Sequence, residues 1–197
     1  MRPDFEIIQQ WIPANSEVLD LGCGDGELLA YLHREKQVRG LGLEIEHPQI
    51  IECVRKGVPV VKQDLNKGLH NFSSQSFDCV VMTQSFQQMD KPDEVLDELL
   101  RVGREAIITF PNFAHWSARG YLGLKGRMPM SKALPVMWYN TPNIHLCTFK
   151  DFEELCRQRS VKILDRLVVD SLHQSRWFIN LMPNLLGEIA IYRLTSL

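Results

Sequence analysis

Between Val18 and Leu32 the chain changes character twice within fifteen residues. An apolar run (Val18, Leu19, Leu21) ends in glycines at 22, 24 and 26, and a helix-spaced pattern (Leu28, Leu29, Leu32) follows. This reads as a first strand, a tight turn and a first helix, the opening of an α/β sheet that binds its ligand beyond the strand's carboxyl end. The glycine spacing narrows the ligand. A dinucleotide turn is G-x-G-x-x-G, with a third glycine where the helix meets the sheet and a pyrophosphate cradled by the turn. Here that third position is Glu27, a carboxylate that would repel a pyrophosphate. A G-x-G-x-G turn preceded by Asp20 suits a ligand with an amino-acid moiety: Gly22, Gly24 and Gly26 let the backbone come close, with Cys23 among them, and the carboxylate can receive an ammonium group. S-adenosyl-L-methionine (SAM), or its product S-adenosylhomocysteine, meets that description.

Two further acids agree. Gly40–Glu44 reads as a second strand, and Glu44 lies 20 residues past Gly24. That is where an acid accepts hydrogen bonds from ribose hydroxyls, with Ile45 beside it. A third apolar run, Val58–Val61, leads to Asp64 and Leu65. Asp64 is placed to accept from an adenine amino group and Leu65 to pack on the base. Each acid alone could be a turn or cap residue; three at successive strand ends, together with the glycine turn, point to one adenosyl site.

The remaining pattern extends the sheet. Phe77–Met82 and Ala106–Phe110 read as strands, with a helix from Pro92 to Leu100 between them, opened by proline and acids. Phe5, Ile7, Ile8, Trp11 and Ile12 predict a short amphipathic helix ended by Pro13, and Pro48–Arg55 a helix with Ile50, Ile51 and Val54 on one side. Thr148-x-x-Asp151 caps a further helix, and the runs 161–169 and 187–194 predict a terminal hairpin. The expected fold is a seven-stranded, mostly parallel α/β sheet with one antiparallel strand and flanking helices, a pattern that resembles the Rossmann-like class I methyltransferase fold. The 197 residues are taken as a single domain, 1–197.

Residues 111–147 do not fit a minimal scaffold, because connections usually run to about 4–6 residues and long ones are lids or binding loops. This insert carries Asn112, His115, Trp116, Arg119, Trp138, Tyr139, Asn143 and His145, candidates for contact with substrate or partner. The plainer alternative is a pair of short helices covering the sheet, with Trp116 and Trp138 in their core.

Composition excludes several classes. Net charge is −2 with no Lys/Arg run, so the basic footprint of a nucleic-acid groove is missing. No apolar run approaches the roughly 18 residues of a membrane span, and the acidic N-terminus is unlike a signal peptide. Five cysteines without a C-x-x-C pair suggest neither zinc nor disulfides; Cys53, Cys79 and Cys156 fit as small core residues, and the cytoplasm is the expected compartment. Self-association is left open. No spacing of His, Asp or Glu suggests a metal. Methyl transfer needs a nucleophile held in line and, where protonated, a base. Thr83, Gln84 and Ser85, after the fourth strand, can hydrogen-bond but cannot serve as bases; only His115 and His145 could, so the pattern argues well for a SAM site and poorly for a catalyst.

Several segments together resemble one family: Val18–Gly26, Thr83–Gln87, Arg101–Arg104, Phe110–Phe113 with His115-Trp116, Gly126–Pro129 and Trp138–Thr148. They are similar to the methionine biosynthesis protein MetW family over almost the whole chain. Glu46 stands where that pattern more often has Asp, and Phe86 where it has Leu. The resemblance implies a SAM-binding, methyltransferase-like accessory protein that associates with and supports homoserine O-acyltransferase, with no established methyl acceptor. The alternative is a SAM-dependent methyltransferase acting on a small molecule.

Overall fold

The computed structural model describes residues 3–129, 144–169 and 181–197. The chain runs α1 (Pro3–Trp11), β1 (Glu17–Leu21), α2 (Glu27–Lys36), β2 (Arg39–Glu44), α3 (His47–Arg55), β3 (Val60–Lys62), β4 (Phe77–Thr83), α4 (Pro92–Val102), β5 (Gly103–Pro111), α5 (Trp116–Lys125), α6 (Phe149–Gln158), β6 (Val161–Val169), α7 (Pro183–Leu186) and β7 (Ile189–Ser196). Short 3-10 turns follow β3 (Leu65–Lys67) and β4 (Phe86–Gln88). Among the described residues the strands form one seven-stranded sheet, β3-β2-β1-β4-β5-β7-β6. β7 lies antiparallel to both neighbours and the other described pairs are parallel. No described helix is long and apolar enough to cross a membrane.

The central strands are buried on both faces, so they read as apolar runs without alternation. One face packs Leu19, Leu21, Val80, Met82 and Phe110 against α4 and α6. The other packs Val18, Val81 and Ile107 against α1 and α2. Four aromatic rings fill the first layer at the antiparallel end: Phe110 lies 4.9 Å from Phe152 and 5.9 Å from Tyr192, and Phe149 6.4 Å from Phe110. Across the opposite face of that end, Arg193 ties three strands, donating to Glu105 at 2.7 and 3.0 Å and to Asp165 at 3.1 Å.

The described elements depart from the expected pattern in several places. The third strand begins at Val60 rather than Val58, because Pro59 has no N–H to give the ladder, although its carbonyl still accepts from Gly42 N at 2.9 Å. The fifth strand begins three residues early, at Gly103; its charged start is accommodated by Glu105 pairing with Arg193 and Arg104 with Asp78. In α3 the inward residue is Cys53, 0% exposed, while Ile51 and Val54 are 41% and 65% exposed, so the expected apolar side of that helix is mostly solvent-facing. Strands β6 and β7 do pair antiparallel, from Val161↔Ser196 to Val169↔Ile189, with the single-turn helix α7 in their connection.

Candidate functional site

Strand order reverses at β1, which lies between β2 and β4. The crevice beyond the carboxyl ends of strands at such a switch point is where open α/β sheets bind ligands. β1 delivers Asp20, 1% exposed, to that end. The chain then turns back over β2, with Gly22 N and Cys23 N both donating to Leu43 O at 2.8 and 3.1 Å. Gly22, Gly24 and Gly26 all have positive φ, +71°, +55° and +74°. Two of them meet opposite surroundings. A Cβ on Gly26 would lie 3.0 Å from Cys53 Sγ and 3.3 Å from Val58, so this glycine lets α2 start hard against α3. A Cβ on Gly24 would meet nothing within 4 Å. The backbone at Gly24 faces open space at the crevice.

The turn is held from β2. Glu44, 8% exposed, accepts from Gly24 N through Oε2 at 2.9 Å, and from Ile45 N and Glu46 N through Oε1 at 2.7 and 2.9 Å. A carboxylate offers about four acceptor positions, so roughly one remains. Ile45 is half-exposed beside it. On the outer side of the turn Asp25 receives Lys56 and the Glu27 N–H. Burial works against its ionisation, but these partners hold its carboxyl below the usual range. Cys23 Sγ lies 3.8 Å from Cys53 Sγ, and Cys53 donates to Gly24 O at 3.1 Å. Burial, then the charge of Asp20, pushes the Cys23 thiol upward, so Cys23 packs as a neutral small residue.

Asp64 caps the 3-10 turn after β3, its Oδ1 accepting from Asn66 N at 3.0 Å, which leaves Oδ2 for other use. Leu65 is half-buried and borders a cavity of about 280 Å3 with Leu21, Leu69 and Val95. Gly24 and Glu44 are not among its lining residues, and it lies on the α4 side of the β1 end. Thr83 closes β4, opposite Thr109 in register. Gln84 follows with φ +59° and its N–H shared between Thr109 O at 3.0 Å and Oγ1 at 3.1 Å. A left-handed non-glycine residue at a sheet end is costly and concentrates at ligand sites.

The insert is partly stitched down. Phe113 N donates to Cys147 O at 3.0 Å and His145 N to Gln87 O at 2.7 Å, bringing both flanks of the insert together near the end of β4. Asn112, 5% exposed, spends its side chain inside the fold: Nδ2 donates to Gly187 O at 2.7 Å and Asn184 O at 3.2 Å, and Oδ1 accepts from Ala114 N at 3.0 Å. In the described structure the Asn112 side chain bonds within the fold. Burial lowers the His115 pKa, against a smaller opposing pull from Glu188, and its Nδ1 lies 2.7 Å from Ser117 Oγ. Trp116 is 58% exposed, not the core of a covering pair of helices. Arg119 Nε donates to Ala114 O at 2.6 Å, and the His145 side chain is exposed. Trp138, Tyr139 and Asn143 lie outside the described residues.

Sequence reasoning missed Gln87 and gave Ser85 only a capacity to hydrogen-bond, without a partner. Ser85 Oγ donates to Leu21 O at 3.2 Å, bridging β1 and β4 across the switch point. Gln87, 5% exposed, receives the insert through its carbonyl and donates from Nε2 to Pro111 O at 3.2 Å. Both sit in the Thr83–Gln87 stretch, where the resemblance was the available signal.

The family description methionine biosynthesis protein MetW matches residues 2–194. The chain belongs to the MetW family. A curated MetW-containing relative, the bifunctional methionine biosynthesis protein MetXA/MetW of Rhodopirellula baltica, is 36% identical over 95% of this chain, and the chain spans 32% of that relative's length. Among solved structures, a putative S-adenosylmethionine-dependent methyltransferase from Listeria monocytogenes matches with TM-score 0.71 and 12% identity, covering 99% of this chain and 97% of that one. Another such methyltransferase, from Mesorhizobium loti, gives TM-score 0.70 at 13% identity, with 98% and 97% coverage. At those identities the structures establish that this MetW chain has the class I methyltransferase fold.

Proposed function

We propose that this MetW chain binds SAM at the carboxyl ends of β1, β2 and β4 and serves as an accessory subunit of a homoserine O-acyltransferase in methionine biosynthesis. The observation carrying the first half is the open space at Gly24, a cradle that a single Cβ would enter, with the Glu44 carboxylate bonded to the Gly24 N–H. The residues present fit an adenosyl amino acid. Asp20 would face the amino-acid end and the Gly22–Gly26 backbone would lie along the ligand. Glu44 would take a ribose hydroxyl on its remaining acceptor position, Asp64 Oδ2 would receive the adenine amino group, and Ile45 and Leu65 would flank the base. Thr83 and Gln84 would close the site from β4. When bound, SAM supplies an electrophilic sulfonium methyl group.

The second half is supported by the relative in which a MetW segment and a MetXA segment share one polypeptide, and by the lack of a base among Thr83, Gln84 and Ser85. Calorimetric titration of the purified chain with SAM is expected to give saturable heat that Asp20→Ala removes. Added to homoserine O-acyltransferase, the chain is expected to co-purify with it and to raise its activity. Unchanged activity without co-purification would discard the accessory role.

One observation favours a catalytic reading. Burial lowers the His115 pKa and so favours the neutral ring, and in the tautomer that donates from Nδ1–H to Ser117 Oγ its Nε2 is left as a base. That reading requires S-adenosylhomocysteine release from a metabolite extract, abolished by His115→Ala; no turnover across broad extracts rejects it.

A further inference from the structure

Helix α5 lacks what normally holds a helix in place. None of its ten residues is buried, although a helix this short is marginal in water without a packed face. It contains Gly120 and Gly123, and a Cβ on either would meet nothing within 4 Å, so close packing inside the described fold does not account for them. Its large apolar side chains face outward: Trp116 is 58% exposed, Tyr121 43%, Leu122 42% and Leu124 89%, continued by Met128 at 44%. Exposed apolar groups gathered on one element mark a contact surface, and Trp and Tyr are the residue types that anchor one.

The charge around this helix specifies what covers it. The chain has 24 acidic residues, yet none occurs from 106 to 150. The cations Arg119, Lys125 and Arg127 interleave with the apolar groups of α5 and its exit. A second copy docking this patch on itself about a twofold would set like charges against like. Large apolar side chains between the cations fit a protein better than a polyanionic chain. The fusion relative adds a reason for strength: joining two modules raises their effective concentration, and about two thirds of that relative lies outside the 32% matched here. Where the partner is a separate chain, the surface itself must supply the affinity.

We infer that the exposed helix α5 and its exit, from Trp116 to Met128, is the docking element for homoserine O-acyltransferase, its apolar side chains spread around the helix and received by an apolar groove with an acidic rim. The inference rests on the accessory role proposed above. Its test uses the full-length chain with purified acyltransferase and two variants, Leu124→Asp and Lys125→Glu/Arg127→Glu. Leu124 is nearly free of contacts, so both isolated variants are expected to keep the wild-type melting temperature and SAM titration. Leu124→Asp is expected to weaken the complex roughly ten-fold or more. The double variant is expected to weaken it at low salt and to flatten its salt dependence. Wild-type affinity in both variants overturns the α5 assignment while leaving the accessory role standing. No complex with wild-type chain overturns both. A large drop in melting temperature for isolated Leu124→Asp shows the helix covered from within and overturns the inference, as does a wild-type homodimer that Leu124→Asp dissolves.

Discussion

A methyl group added at Gly24 would project into the crevice, and one added at Gly26 would strike Cys53 and Val58. Both positions are left-handed, which costs an alanine about 1–2 kcal/mol. Gly24→Ala should therefore melt a few degrees lower than wild type and lose most of its SAM affinity. Gly26→Ala carries the same backbone cost plus a collision, so its melting temperature should fall further. Scanning calorimetry with and without SAM separates the two, and equal stability losses would refute the distinction. Spacing alone pointed to three glycines and three acids, but it could not assign this division of labour. Cys53 comes from a helix 27 residues downstream of Gly26, and only folding brings them together. Asn112 teaches the same lesson in reverse. A polar residue in an insert reads as a contact for something external, and the spacing gives no hint of its bonds to Asn184 and Gly187, more than 70 residues away.

At the scale of elements, local chemistry was legible wherever it was self-contained. The α6 start was readable from Thr148 and Asp151, whose capping box is present, with Asp151 N donating to Thr148 Oγ1 at 3.3 Å. Replacing Thr148 with Ala should cost about 1 kcal/mol. Asn112→Ala should cost more, because buried carbonyls at Asn184 and Gly187 and the Ala114 N–H lose their partner, each unsatisfied group being worth about 1–3 kcal/mol. Urea denaturation compares the two; a smaller loss for Asn112→Ala would mean that water replaces those bonds. The early start of β5 was not legible, because Arg104 and Glu105 look like loop residues until Asp78 and Arg193 arrive beside them. Edge strands also show long-range design. β3 has three residues, and β6 carries a register irregularity between Ile163 and Asp165, features that blunt edge-to-edge association.

For the molecule as a whole, acid should act in two stages. Burial depresses the His115 pKa in the folded chain, so the unfolded chain takes up its proton first as pH falls. That contribution is complete above the unfolded value of about 6.5 and shrinks below it. The carboxyls of Asp25 and Glu98 are shifted below their usual range, for Glu98 chiefly by its bonds from Arg101. Their contribution is present above the unfolded carboxylate values of about 4 and is lost as pH falls through the lower folded ones. Chemical denaturation from pH 8 to 3 should show a shallow decline below about 6.5 and a steeper one in the carboxylate range. His115→Gln should remove the first without altering the second. An unchanged upper limb in that variant would show that another group titrates there.

The Glu44 carboxylate, bonded to three backbone N–H groups, gives the crevice a competitive character. A ribose diol seeking two bonds from that side chain finds room for about one, and the second must displace an amide of the chain itself. For the proposed ligand, entry would then be partly an exchange of donors, which would moderate the net gain. On the proposed SAM site, such a side chain would favour exchange with the surrounding metabolite pool over permanent retention.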